Sequence, residues 1–261
     1  MAAPRLPQRD LRRISRIVTA YGQHRELVDT FRKMLLIALS DSPELVALVH
    51  SFRSRLKEET HLRDKLIRKF IECREGAVEF SITPENLLTS VTDLAGIRVL
   101  HLHTTQIKRI DATLLNIFAE QRLTLIERFT RTWDDESREL FQGLGFTAQP
   151  SPSLYTSVHY IVGSNSLTEI TAEIQVRTLM EEVWGEVDHD INYPAASSSF
   201  ACREQLKVLA RATSTATRLV DSIYRTLDHE SRKADRPKRK AQSRVVRATI
   251  KTDRRRSPRR S

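Results

Sequence analysis

The sequence predicts an α/β protein: a small mixed β-sheet flanked by helices, with extra helices at its N- and C-terminal ends. Three observations lead there. Apolar residues recur at three- and four-residue steps near both ends of the chain, strand-length apolar stretches fill the middle, and helical patterns separate those stretches.

The first element is a helix from Leu11 to about Ser40, with Ile14, Val18, Tyr21, Leu27, Phe31, Leu35 and Ile37 as its apolar positions. Asp41-Ser42-Pro43 starts another, since proline is tolerated where its missing N–H does no harm. The pattern runs on through Leu45, Val49 and Phe52, and Arg53 to Lys57 reads equally as helix or as a short extended segment. Thr60 is a plausible N-cap for a helix carrying Leu62, Leu66, Ile67 and Phe70. Thr83-Pro84-Glu85-Asn86 opens a short helix that ends before Gly96. Gly96 to Leu102 is a buried strand, Ile107 to Phe118 a helix, and Leu123–Thr132, Tyr155–Val162 and Ile170–Val176 are strands by alternation. Glu136 to Ser153, with Gly143, Gly145, Pro150 and Pro152, is expected to be a mobile connection. Thr178 to Ile191 is helical, Pro194 stops it, and Arg203 to Leu227 forms a last long helix.

The chain has 261 residues, of which 39% are hydrophobic, as expected of a globular protein with one sizeable core. No apolar run approaches the ~18 residues of a membrane span, and Met1 to Asp10 has no apolar stretch of the secretory kind. Cys73 and Cys202 alone make neither a disulfide framework nor a zinc site, so a reducing, cytoplasmic setting is expected. The net charge of +10 is unevenly placed. Ser231 to Ser261 holds 14 Lys/Arg against two Asp, whereas the preceding 230 residues hold 29 basic and 31 acidic side chains. The basic segment, nearly without aromatics, is expected to be a disordered tail.

Four segments concentrate polar groups where packing would not ask for them. Arg55 and Lys57 precede His61, Lys65 and Arg68, whose spacing forms one helical stripe. Such a stripe is either a solvated face or a polyanion site. Asp93 stands just before Gly96 and an apolar strand in which Arg98 is embedded. A carboxylate there suits Mg²⁺, which prefers hard oxygen ligands, and Arg98 needs either a local acid or a ligand as partner. In Tyr155 to Tyr160, alternation puts Tyr155, Ser157 and His159 on one face, where an exposed tyrosine ring is a stacking platform for a base. Glu173, Gln175 and Arg177 share a strand face opposite Ile174 and Val176, and Trp184, Asp188 and His189 follow on the next helix.

In order and spacing, these segments resemble the synthetase domain of RelA/SpoT proteins over roughly Val46 to Tyr193. Arg55-Leu-Lys57 with Lys65 and Arg68, Asp93 to Arg98, Tyr155 to His159, and Glu173 to Thr178 with Trp184, Asp188 and His189 match that family's motifs. The resemblance implies a nucleotidyltransferase-like synthetase fold that makes (p)ppGpp from ATP and GTP or GDP with Mg²⁺. It implies Asp93 and Glu173 as catalytic and metal-binding residues. Arg55, Lys57, Lys65, Arg68, Arg98, Gln175 and Arg177 would bind ATP, and Tyr155, His159, Glu182, Asp188 and His189 the acceptor. The division that follows is an N-terminal helical segment (1–40), the synthetase domain (41–195), a C-terminal helix (196–230) and the basic tail (231–261).

The long family members' hydrolase half has no counterpart here, so a small stand-alone synthetase, able to form homo-oligomers, is expected. Four departures fall on the acceptor side: Leu154 and Thr156 where the family often has Gly and Arg, no Lys between Gln149 and Ser153, and Glu182 where an Asn is frequent. They keep two alternatives in view. One is a toxin-type relative that uses adenine nucleotides or the tRNA 3′ end, with the basic tail holding RNA. The other is a non-catalytic nucleic-acid-binding protein on the same fold.

Overall fold

The computed structural model describes residues 6–151, 154–192, 197 and 199–256, with side chains as far as residue 233. The chain divides into two units, residues 1–217 and 218–261. Helix α1 (Gln8–Ser40) buries Ile14, Ile17, Val18, Tyr21, Val28, Phe31, Leu35 and Leu39. Leu27 and Ile37 were expected on that stripe but are 40% and 58% exposed, since the 3.6-residue repeat selects Val28 and Leu39 instead. α2 (Pro43–Val46) is one turn, capped by Ser42, whose hydroxyl accepts the Leu45 N–H. The ambiguous segment that follows is a strand, β1 (Ser51–Leu56). α3 (Glu59–Glu75) begins after Glu58, so Thr60 lies inside its first turn rather than at the cap. α4 is Leu87–Ser90 and β2 is Ala95–His101. A 3-10 turn at Thr104–Gln106 leads into α5 (Ile107–Glu120), and β3 is Thr124–Thr132.

The expected mobile connection is ordered as far as it is described. It forms α6 (Asp135–Gly143) and an edge strand, β4 (Thr147–Pro150). Asp134 caps α6, Gly145 turns the chain at φ +83°, and Phe141 and Phe146 anchor the segment in the core. β5 is Ser157–Gly163, so Tyr155 precedes the strand instead of opening it. β6 (Thr171–Thr178) leads directly into α7 (Leu179–Asn192). Pro194 and the break after α7 lie outside the described residues. α8 (Phe200–Arg256) overruns the end expected at Leu227, because Arg, Lys, Ala and Gln in the basic segment are good helix formers. The described part of the second unit, residues 218–256, is the remainder of this helix.

The sheet order is β1-β2-β6-β5-β3-β4, with β2/β6 and β3/β4 parallel and the other pairs antiparallel. Its two faces differ in chemistry. Ile97, Val99, Val158, Tyr160, Val162, Ile174 and Val176 join the α1 stripe and the apolar positions of α5 in one core. The opposite face carries Arg98, His159, Glu173, Gln175 and Arg177. Among the described residues, no helix is long and apolar enough to cross a membrane.

Candidate active site

Strand register builds the polar face. Arg53 lies opposite Arg98, Arg98 opposite Gln175, and Gln175 opposite His159, a continuous row across four strands. In the neighbouring row Arg55 faces Gly96, and Gly96 faces Glu173. Directly paired residues point to the same side, so these side chains share one surface. Gly96 leaves its floor open: a Cβ there would sit 3.4 Å from the Arg55 side chain. The resulting cleft, about 210 Å³, is lined by the members of these rows other than His159, together with Asp93, Ser54 and Ile97.

Asp93 sits just ahead of β2 at the mouth of the cleft. Its Oδ2 accepts the Lys57 Nζ at 2.8 Å and its Oδ1 the Lys65 Nζ at 2.7 Å. Burial would raise the Asp93 pKa, but the two ammonium groups outweigh it and take it to about 2. Burial draws the Lys57 ammonium below its ordinary range despite Asp93. Glu173 Oε1 is bonded to His159 Nδ1 at 2.8 Å, and its Oε2 accepts the Gln175 amide at 2.8 Å. Burial opposes ionisation of Glu173, yet the contact with His159 holds its pKa below the usual carboxylate value. Asp93 and Glu173, far apart in sequence, therefore open onto the same cleft as ionised groups.

Helix α7 borders the cleft with acids. Arg98 pairs with Glu182 at 3.0 Å and also with Glu186, and Arg53 lies 3.6 Å from Glu182. Arg177, 5% exposed, pairs with the same Glu182 and is not among the cleft-lining residues. A Cβ on Gly185 would come within 2.6 Å of its guanidinium, which explains a glycine inside α7. Gly185→Ala is expected to lower stability by about 1–3 kcal/mol, readable as a lower thermal midpoint.

The remaining sequence-derived candidates are placed as follows. His159 is buried beneath Glu173, hydrogen-bonded to Ser157 and stacked on Phe129 at 4.8 Å. The half-buried Tyr155 donates its hydroxyl to Gln175 at 3.4 Å and lies near-parallel to Trp184 at 6.2 Å. Leu154 beside it has φ +58°, the left-handed conformation that glycine adopts without strain. Glu182 is held among three arginines. Asp188 accepts from Asn192, and His189 faces His61 across 6.5 Å. Neither of these, nor the exposed Arg68, lines the cleft.

Sequence reasoning missed Arg53, Ser54 and Glu186. Arg53 was recoverable by alternation with Arg55 and Lys57 once β1 is taken as a strand. Glu186 carried no local signal, because its partner Arg98 lies 88 residues away.

Comparison with known proteins defines the class. Residues 54–198 match the family described as the region found in RelA / SpoT proteins. GTP pyrophosphokinase YwaC of Bacillus subtilis (strain 168) is 24% identical over 146 residues, covering 54% of this chain and 57% of that protein. The chain thus spans little more than half the length of that relative. Small alarmone synthetase 1 from Bacillus subtilis, solved with its product pppGpp, superposes with a TM-score of 0.51 at 19% identity, covering 82% of this chain and 97% of that one. The same synthetase bound to AMPCPP gives a TM-score of 0.51 at 16% identity, covering 82% and 98%. The fold is that of the alarmone synthetases. The chain belongs to the RelA/SpoT family.

Proposed function

We propose that the chain is an ATP-dependent GTP/GDP 3′-pyrophosphokinase that makes (p)ppGpp. The observation that carries this reading is the convergence of Asp93 and Glu173 on one cleft lined by Arg53, Arg55 and Arg98. In the reaction, the acceptor 3′-oxygen bonds to the β-phosphorus of ATP, the bond from that phosphorus to the α,β-bridging oxygen breaks, and AMP leaves. The hydroxyl proton needs a base within hydrogen-bond reach. Glu173 is ionised by its contact with His159 and is suited to take it. Arg53, Arg55 and Arg98 meet the charge on the phosphoryl oxygens, with Lys57 and Lys65 beside them on Asp93.

Two carboxylates on one cleft also fit Mg²⁺, which takes one or two protein carboxylates and fills its shell with water and phosphate oxygens. Each carboxylate has lone pairs beyond those its present partners use. Asp93 would hold the ion, which neutralises triphosphate charge when bound, and Glu173 would either share it or stay free as the base.

Incubation with labelled ATP, Mg²⁺ and, separately, GDP, GTP, ADP and deacylated tRNA tests the reading. Label on the guanine nucleotides with matching AMP release is expected. Label on ADP or tRNA alone would move the acceptor to the adenine or RNA class, and no AMP release with any acceptor would reject pyrophosphoryl transfer. Tyr155→Ala is expected to raise the acceptor KM about tenfold, the value of one stacked base, and to leave the ATP KM unchanged. Initial rates against acceptor concentration check this.

A further inference from the structure

Glu181 is a buried carboxylate that the proposed reaction does not use. The Thr178 hydroxyl accepts the Glu181 N–H at 3.2 Å, so Thr178 caps α7 and Glu181 is the third residue of the helix. In this T-x-x-E arrangement the acid ordinarily turns back to the backbone N–H of the capping residue. Here Thr178 belongs to β6 and pairs with His101 of β2. The Glu181 carboxylate instead accepts the Thr156 N–H at 3.2 Å.

Thr156 directly follows Tyr155. The Tyr155 N–H is tied to Ser151 Oγ at 3.2 Å, its hydroxyl to Gln175 on the cleft floor, and Leu154 before it stands in a left-handed conformation. Such a backbone persists only where its surroundings hold it. The Thr156 hydroxyl also bonds that of Thr132 at 3.1 Å. We propose that Glu181 is a positioning residue: by holding the Thr156 amide it fixes Tyr155 against Gln175, beside the cleft, and so sets affinity for the acceptor nucleoside. The link to acceptor affinity rests on the proposed function; the hold on Thr156 does not.

Several charged groups face Glu181. Arg177 from β6 favours its ionised form, Asp134 ahead of α6 opposes it, and Glu182 is its neighbour on α7. Burial dominates and raises its pKa to about 7. A hydrogen bond to an ionised acceptor is stronger than one to a neutral acceptor, so the hold on Thr156 tightens as pH rises through that value.

The test uses the full chain with Glu181→Leu, which removes the acceptor atom, and Glu181→Gln, which keeps an acceptor oxygen but cannot ionise. Hydrogen exchange at the Thr156 amide is expected to speed up about tenfold or more in Glu181→Leu. The acceptor KM should rise by a similar factor, with the ATP KM and the saturated rate unchanged. In the wild type the acceptor KM should fall between about pH 6 and about pH 8, and in Glu181→Gln that slope should be lost while Thr156 protection lies between those of Glu181→Leu and the wild type. Unaltered Thr156 exchange in Glu181→Leu, or a wild-type pH slope in Glu181→Gln, overturns the proposal. Should Glu181→Leu fail to fold, Glu181→Gln decides through the slope. Should the wild type turn over no acceptor, the proposed function fails and the exchange measurement alone decides the role of Glu181.

Discussion

Asp93→Asn is expected to stop AMP release from ATP, by at least about a thousandfold, and to lower the stability of the protein as well. The first effect follows from removing one of two carboxylates fit to hold Mg²⁺ against the triphosphate, a contribution of several kcal/mol. The second follows from the lysines. Both Asp93 oxygens carry an ammonium group, and the Lys57 and Asp93 side chains are only 10% and 15% exposed. Asparagine would leave Lys57 and Lys65 facing each other with no counter-charge. The lowered pKa of Asp93, about 2 against an ordinary 3.8, corresponds to about 2 kcal/mol. The sign is that of a depressed carboxylate: this stability is present above its unfolded pKa and is lost as pH falls from about 4 to about 2. Urea unfolding of the wild type between neutral and acid pH should show that loss, and Asp93→Asn should lack it. A variant that releases AMP at the wild-type rate would remove the metal role.

Glu173→Gln is expected to lower the rate at saturating substrates by about a hundred- to ten-thousandfold, the usual worth of a positioned base. Glutamine keeps the size of the side chain, and its oxygen can accept from His159 or Gln175 but cannot take a proton. ATP binding, followed by calorimetry without acceptor, should change much less than turnover. Equal losses in binding and rate would mean that Glu173 serves the nucleotide pocket and another group takes the proton.

The elements with strong periodicity were legible in the sequence. α1, α5, β2, β3, β6 and α7 fall where three- and two-residue repeats put them, within a few residues. β1 was not, because Arg53 to Lys57 alternates in charge and has no apolar face of its own; pairing with β2 makes it a strand. α6 and β4 hid behind glycines and prolines, and the signals that order them, an aspartate cap and two buried phenylalanines, are individually common. Within the candidate site, the motifs pointed to side chains but not to what they touch. His159 is an acceptor-side residue by the resemblance and lies under Glu173 in the fold. Arg177 reads as a cleft residue and is buried against α7, because an arginine at the end of β6 meets Glu182 in the helix that follows. Such assignments depend on neighbours brought together by topology, which no local pattern encodes.

The α7 acids have a consequence for how an anion reaches the cleft. Lys57 and Lys65 share Asp93, and Arg53, Arg98 and Arg177 share Glu182 and Glu186, so five cations rest on three carboxylates. The acids reduce the field that this group projects into solvent without reversing its sign, so long-range attraction of a polyanion is tempered rather than lost. On the proposed reading, discrimination also falls to the last few ångströms, where a phosphate would take arginines away from glutamates. A site of this kind accepts anions by exchanging partners, and those that cannot offer several oxygens at once leave the resting pairs undisturbed.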